Sequence, residues 1–229
     1  GDTRRYADTL AGAVRGVLLL SCLGAAGLAV VAVPVARLFT DGPRVSALAW
    51  AIAGFAPGLL GYGLFALLSR ALYARGDTSA AAGATVAGWA VVAASAVAGA
   101  AVLPGDRRTL ALAVANSAGM LVLAVVLLAV IARRVGPEAL RGTPRAAVNG
   151  IGAGVLAANS GLAAVWILDR VSGATPAAGA AIPQGMLGAV VVCLVFLAVA
   201  YVGDRRDVRP LVAGVVRRLR PRGREKVRK

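Results

Sequence analysis

The sequence predicts an all-α membrane protein with six transmembrane helices, and three observations carry that prediction. Of 229 residues, 59% are hydrophobic and only 15% are charged, against about 25% charged in a soluble globular chain. Mean hydropathy is +0.79. Six stretches also lack Asp, Glu, Lys and Arg altogether: Gly16–Ala36, Val45–Ser69, Thr78–Gly105, Thr109–Ala132, Ala146–Leu168 and Val171–Gly203. Each reaches about 20 residues, the helix length that crosses a hydrocarbon core of about 30 Å. The stretches are continuously apolar rather than alternating, which excludes barrel strands. Backbone groups in lipid must be satisfied internally, so such runs are helices.

The first run follows a polar opening, Gly1 to Ala13, that begins without Met and lacks the layout of a secretory signal. That opening suggests a piece of a longer protein or a processed chain. Pro34 falls late in the first run, and Pro57 falls near the middle of the second, followed by Gly58, Gly61 and Gly63. Proline removes a helical hydrogen bond and kinks the helix. Interrupted helices line cavities or act as hinges in transporters, so Pro34 and Pro57 are candidate hinges. The third run is entered through Arg75-Gly76-Asp77-Thr78. Gly76 is suited to end one helix, and Asp77 or Thr78 to cap the next.

The fourth run contains Asn116 and Ser117, and the fifth contains Asn149, Asn159 and Ser160. Asn149 and Asn159 are ten residues apart and face different sides of their helix. Each asparagine is suited either to a bond between helices or to a wet cavity. The last run exceeds one span. Its first part, Val171–Pro183, is rich in Gly, Pro, Ser and Ala and reads as a loop, with a helix from Gln184 to Tyr201. Beyond it, Leu211, Val212, Val215, Val216 and Leu219 share one helical face, while Arg209, Arg217, Arg218 and Arg220 lie elsewhere. That pattern predicts a basic amphipathic helix on the inner leaflet. The spans are rich in Ala, Gly and Val; Gly54–Gly58 and Gly150–Gly154 have the spacing that lets helices cross closely.

Charge sets the expected orientation. The net charge is +15, from 25 Lys and Arg against 10 Asp and Glu. With an inside N-terminus, only Arg37, Arg44, Arg107, Arg108 and Arg170 fall outside. The positive-inside rule therefore places both ends of the chain in the cytoplasm. Arg15, Arg70 and Asp77 stand at the ends of runs, so no ionisable side chain is expected at bilayer depth. Arg70 and Arg75 suit the phosphates of anionic inner-leaflet lipids. Arg15, Arg70, Arg75, Asn116 and Asn159 are the candidate substrate- or lipid-facing residues.

Several classes of function are excluded. There is no histidine, and Cys22 and Cys193 lie far apart inside apolar runs, where they read as small buried hydrophobes. That leaves no metal site, no cofactor and no catalytic constellation. Aromatic residues make up 5% of the chain and sit mostly in or near the spans, which argues against nucleic acid as a partner.

The segment Gly58–Thr78 carries the most specific motif, with Arg70, Ala71, Leu72, Tyr73 and Ala74 followed by Asp77 and Thr78. It resembles the lipid II flippase family, MurJ/MviN, of the multidrug/oligosaccharidyl-lipid/polysaccharide exporter superfamily. Gly27-Leu28, Pro34-Val35 and Leu38-Phe39-Thr40-Asp41-Gly42 look like the same family, and the Ala- and Arg-rich composition is similar to actinobacterial members. The resemblance implies that the six helices correspond to the last six of fourteen. Residues 1–142 would give four helices of the C-terminal lobe, 143–203 two additional helices forming a lipid groove, and 204–229 a basic tail. The family's cavity arginines lie on earlier helices. The implied function is export of lipid-linked peptidoglycan precursor across the bacterial cytoplasmic membrane by alternating access, with a polyprenyl-linked lipid as partner. Two alternatives fit the same features: a non-transporting scaffold binding cell-wall synthesis proteins, and an exporter of another polyprenyl-linked sugar.

Overall fold

The computed structural model describes residues 2–172 and 178–203. Among the described residues, seven helices carry the chain: α1 (Asp2–Phe39), α2 (Arg44–Gly54), α3 (Gly58–Ala74), α4 (Thr78–Val102), α5 (Arg108–Arg134), α6 (Thr143–Ser172) and α7 (Ala178–Gly203). Together α2 and α3 form one span, so six segments are long and apolar enough to cross a membrane. The expected all-α, six-span class is observed.

Two boundaries differ from expectation. The polar opening is helical: α1 starts at Asp2 and runs for 38 residues. Tyr6, Ala7, Leu10 and Val14 recur at helical spacing and pack into a buried cluster with residues of α3 and α5, and the Tyr6 hydroxyl donates to the Ala71 carbonyl at 3.3 Å. Arg15 therefore lies within α1 rather than at a helix end. The stretch before Gln184, read as loop, is helical from Ala178 onward, with Pro183 inside α7. Pro183 is the sixth residue of α7, in its second turn, and so removes one helical hydrogen bond near the start of the span. The predicted amphipathic helix in the tail lies outside the described residues.

α1 is the hub, touching α2, α3, α6 and α7, while α5 joins α2 and α3 to α4. The order across the bundle is thus α4, α5, the α2–α3 pair, α1, then α6 and α7. One end of the bundle gathers the start of α1, the α3–α4 turn, the α5–α6 connection and the end of α7. It is called the basic end here. Near it, Val14, Leu68, Leu72, Leu127 and Ile131 are fully buried in a cluster shared by α1, α3 and α5. A second cluster joins α1 to α6 and α7 through Leu19, Cys22, Ala26, Val30, Ala153, Ala157, Val192 and Phe196. Lipid tails are as apolar as these side chains, so close packing rather than water exclusion holds such contacts.

The α3–α4 turn shows how local sequence sets the fold. Gly76 has φ +78°, a left-handed conformation that costs glycine little. The Asp77 amide donates to the Leu72 carbonyl and the Gly76 amide to the Tyr73 carbonyl, both at 3.0 Å. This is a Schellman end with glycine in its expected place. Asp77 starts α4 without a side-chain capping bond. Its carboxylate is turned to Arg134 at 3.5 Å and Arg75 at 3.9 Å instead.

Candidate functional site

The interruption between α2 and α3 organises the centre of the bundle. Pro57 has no amide hydrogen, and its ring crowds the carbonyl four residues back. Around it the bonds tighten to three-residue spacing: Phe55 to Ile52, Ala56 to Ala53, Gly58 to Phe55 and Leu59 to Ala56. A stretch of 3-10 geometry inside a span is a frequent hinge signature. In a regular helix the Gly58 amide would donate to the Gly54 carbonyl. Here the hydroxyl of Ser117, on α5, stands between them. It accepts from the Gly58 amide at 3.1 Å and donates to the Gly54 carbonyl at 2.6 Å.

Glycine is required for that approach. A Cβ on Gly58 would lie 2.9 Å from Ser117 Oγ and 3.1 Å from Ser117 Cα. One on Gly54 would lie 3.0 Å from Ala113 Cβ, and one on Gly61 would run into the backbone carbonyl of Met120. The pairs 54:113, 58:117 and 61:120 share a single offset. The Arg75 guanidinium, which donates to the Arg134 carbonyl at 3.4 Å across 59 positions, keeps it too. The α2–α3 pair and α5 therefore run parallel and in register across the interruption.

Beside the interruption lies an open groove of about 520 Å³. Its wall is apolar: Cys22, Ala26 and Ala29 from α1, Ala53, Ala56, Pro57 and Leu60 at the interruption, Leu121 from α5, and Ile151, Gly154 and Ala158 from α6. The space exists because alanine and glycine occupy positions where the basic-end cluster has leucine. An apolar cavity of this kind does not hold ordered water. It suits a hydrocarbon chain.

Charged groups frame the bundle at both ends. At the basic end Arg75 also lies over the Tyr6 ring, 5.9 Å from its centroid. Arg15 donates to the Arg141 carbonyl at 2.8 Å. Asn149 donates to the Ala200 carbonyl at 3.3 Å and so joins α6 to α7. At the opposite end, Arg37 of α1 donates to Gln184 Oε1 of α7 at 2.7 Å and pairs with Asp169 of α6 at 3.5 Å. The Gln184 amide donates to Asp169 in turn. These three side chains close a ring across three helices, with Gln184 buried.

The sequence-derived candidates do not converge on one point. Arg15 and Arg75 bond backbone carbonyls of the α5–α6 region, and Arg70 is exposed on α3. Asn159 donates to the Val155 carbonyl of its own helix at 2.8 Å and faces outward. Asn116 is half-buried beside Ser117. Pro34 is buried, and α1 continues through it to Phe39. Cys22 is buried as expected, but Cys193 is exposed on α7, which corrects the reading of both as core residues. Ser117, which the sequence shows only as a polar residue inside a span, and the Arg37–Asp169–Gln184 ring are the polar features to which sequence reasoning gave no role. The ring left a trace: the ends of the first and fifth spans and the start of the sixth share one side in a six-span topology.

An interrupted span beside an open apolar groove, inside a bundle of continuous apolar helices, is the architecture of a multi-pass membrane protein and recurs among transporters. Residues 1–174 match the lipid II flippase MurJ family, and the chain belongs to that family. The matched segment covers α1 to α6 and stops before α7. No curated protein and no solved structure matches the chain. Family and helices together define a multi-pass protein of the bacterial inner membrane, in a family of transporters rather than enzymes.

Proposed function

We propose that this chain forms part of a flippase that moves lipid II, the lipid-linked peptidoglycan precursor, between leaflets by alternating access. The observation that carries the reading is the apolar groove at the Pro57 interruption, in a chain of the lipid II flippase family. In this reading the six spans stand for the last six of fourteen. Residues 1–142 supply four helices of the C-terminal lobe, 143–203 add two helices beside it, and 204–229 form a basic tail on the inner leaflet. Both ends of the chain face the cytoplasm.

The groove takes part of the polyprenyl tail while the headgroup crosses elsewhere. It is lined by α1, α2, α3, α5 and α6, and α7 backs α6 and α1 without contributing to its wall. Arg15, Arg70 and Arg75 face inner-leaflet phosphates, and Asn116 and Asn159 lie along the lipid-facing path. Pro57 is the hinge, and Pro34 flexes the end of α1.

The test fills the groove in the complete protein. A Cβ on Gly154 makes only ordinary contact, 3.4 Å from the Cys22 carbonyl oxygen. Gly154 lines the groove, so Gly154→Leu adds bulk to its wall from a Cβ that collides with nothing. The expected result is normal membrane abundance, failure to support growth when the resident flippase is depleted, and lipid II retained in the inner leaflet. Normal lipid II exposure at the outer leaflet in this variant would remove the groove from the mechanism.

A further inference from the structure

We infer that Ser117 is the positioning residue of the hinge: its hydroxyl is a removable wedge that holds the α2–α3 span open at Pro57. The inference rests on the alternating-access reading and names the group that sets the balance between two shapes of this span.

Three observations converge on that hydroxyl. It occupies the place of one specific helical bond, because its two partners are the amide and the carbonyl that would otherwise pair, Gly58 and Gly54. A side chain inserted into the four-residue ladder is a recognised cause of a kink. The insertion also comes from a different helix, across 59 positions. The state of the ladder is thereby tied to the position of α5 relative to α2 and α3.

Register supplies the third observation. The same 59-residue offset relates Gly58 to Ser117 and Arg75 to Arg134, and the contacts of Gly54 with Ala113 and of Gly61 with Met120 keep it on both sides of Pro57. No residue is looped out at the interruption, and the Gly58 amide, which also donates to the Phe55 carbonyl at 3.1 Å, stays one helical turn from the Gly54 carbonyl. When α5 moves away, the Gly54 carbonyl loses its donor inside an apolar bundle, while the Gly58 amide keeps only its bond to the Phe55 carbonyl at 3.1 Å. An unpaired peptide group there is costly, and the direct bond is the replacement within reach. The span then has two satisfied arrangements, wedge in and wedge out. Pro57 keeps them close in energy by denying the neighbouring bond to Ala53 in both.

The geometry also explains why a small hydroxyl residue stands at 117. Alanine would fit but has neither donor nor acceptor. A Cβ on residue 58 would lie 2.9 Å from the Ser117 hydroxyl oxygen, so glycine at 58 is what lets a hydroxyl at 117 reach the backbone.

The experiment measures the span directly. Spin labels are placed on the complete protein at Trp50→Cys and Tyr73→Cys, both at exposed positions on either side of Pro57, in a Cys22→Ala, Cys193→Ala background. A straight helix would separate these backbone positions by about 34 Å at 1.5 Å per residue. With Ser117 present, a shorter population should be evident by pulsed electron resonance. Ser117→Ala should shift the balance toward the straight distance about tenfold, the scale of one hydrogen-bond-sized bias. Ser117→Thr, which keeps the hydroxyl, should restore the wild-type distribution. Gly58→Ala attacks the wedge from the other side and should shift the balance in the same direction as Ser117→Ala.

An unchanged distribution in both Ser117→Ala and Gly58→Ala overturns the wedge, whether or not lipid II is flipped. The distances require no substrate, so the two readings separate. A protein whose span straightens in Ser117→Ala but which moves no lipid II keeps the wedge and loses the flippase assignment.

Discussion

The two glycine seams of this bundle have the same spacing and opposite characters. Gly54–Gly58, extended by Gly61, lies against α5 and meets its backbone at Gly58 and Gly61, and Gly150–Gly154 lies against Cys22 of α1. In the first seam an added Cβ runs into a peptide carbonyl at Gly61, crowds the Ser117 hydroxyl and Cα at Gly58, and presses on the Ala113 and Leu110 side chains at Gly54. In the second, an added Cβ meets the end of a thiol side chain at Gly150 and only ordinary contact at Gly154. The first seam is closed and carries the hinge bond. The second opens into the groove, and Gly154 is part of its wall. Small-residue spacing permits a close crossing, but the facing residue decides whether a crossing or a cavity results.

The largest effect expected from that contrast is at Gly61. Gly61→Ala puts a methyl group into the Met120 carbonyl, and α3 must leave α5 to accept it. Overpacking of this kind costs about 3 kcal/mol, at the upper end of its usual range. Thermal unfolding of the detergent-solubilised protein should show a large fall in midpoint. Wild-type stability in this variant would mean that α3 and α5 are not in backbone contact at this point.

Much of this was legible in the sequence. Uncharged runs give the six spans, because charge is what lipid excludes most strongly. Gly76 and Asp77 announce their turn, since a left-handed residue is needed where a helix ends in a Schellman bond. Pro57 marks the interruption. The start of α1 was not legible, because Asp2, Arg4, Arg5 and Asp8 hide a stripe of buried Ala7, Leu10 and Val14 with half-buried Tyr6 beside it. Ser117 was not legible either. Its role depends on a 59-residue register between two helices, which no local pattern records. Arg37 and Asp169 stand at span ends with opposite signs on one side of the expected topology, which was the available hint, and burial of Gln184 completes it.

The intermediate effect belongs to Gly150. A Cβ there would lie 3.0 Å from Cys22 Sγ and 3.3 Å from Leu19 Cδ2. Both are side-chain atoms with room to turn, so Gly150→Ala should cost about 1 kcal/mol, the centre of the usual range for point substitutions. Most of that cost should be relieved by Cys22→Ala, since residues in direct contact show coupling of about 0.5 kcal/mol or more. Additive losses in the double variant would show that α6 meets α1 through something other than the thiol.

The smallest effect is expected at Gly154, and it bears most directly on function. Gly154→Ala adds a methyl at 3.4 Å from the Cys22 carbonyl oxygen, an ordinary contact. The stability change should stay within about 0.5 kcal/mol of zero, as for substitutions that disturb no buried feature. Lipid II export should be nearly unaffected as well, because one methyl removes little of a groove of about 520 Å³. The informative pair is then Gly154→Ala with Gly154→Leu, which share a backbone environment and differ only in how far the side chain enters the groove. If stability is equal in both and export falls only in the leucine variant, the loss comes from occupied space rather than from a displaced helix. If both lose export equally, the second seam is as intolerant as the first, and the contrast between a closed hinge seam and an open groove seam fails.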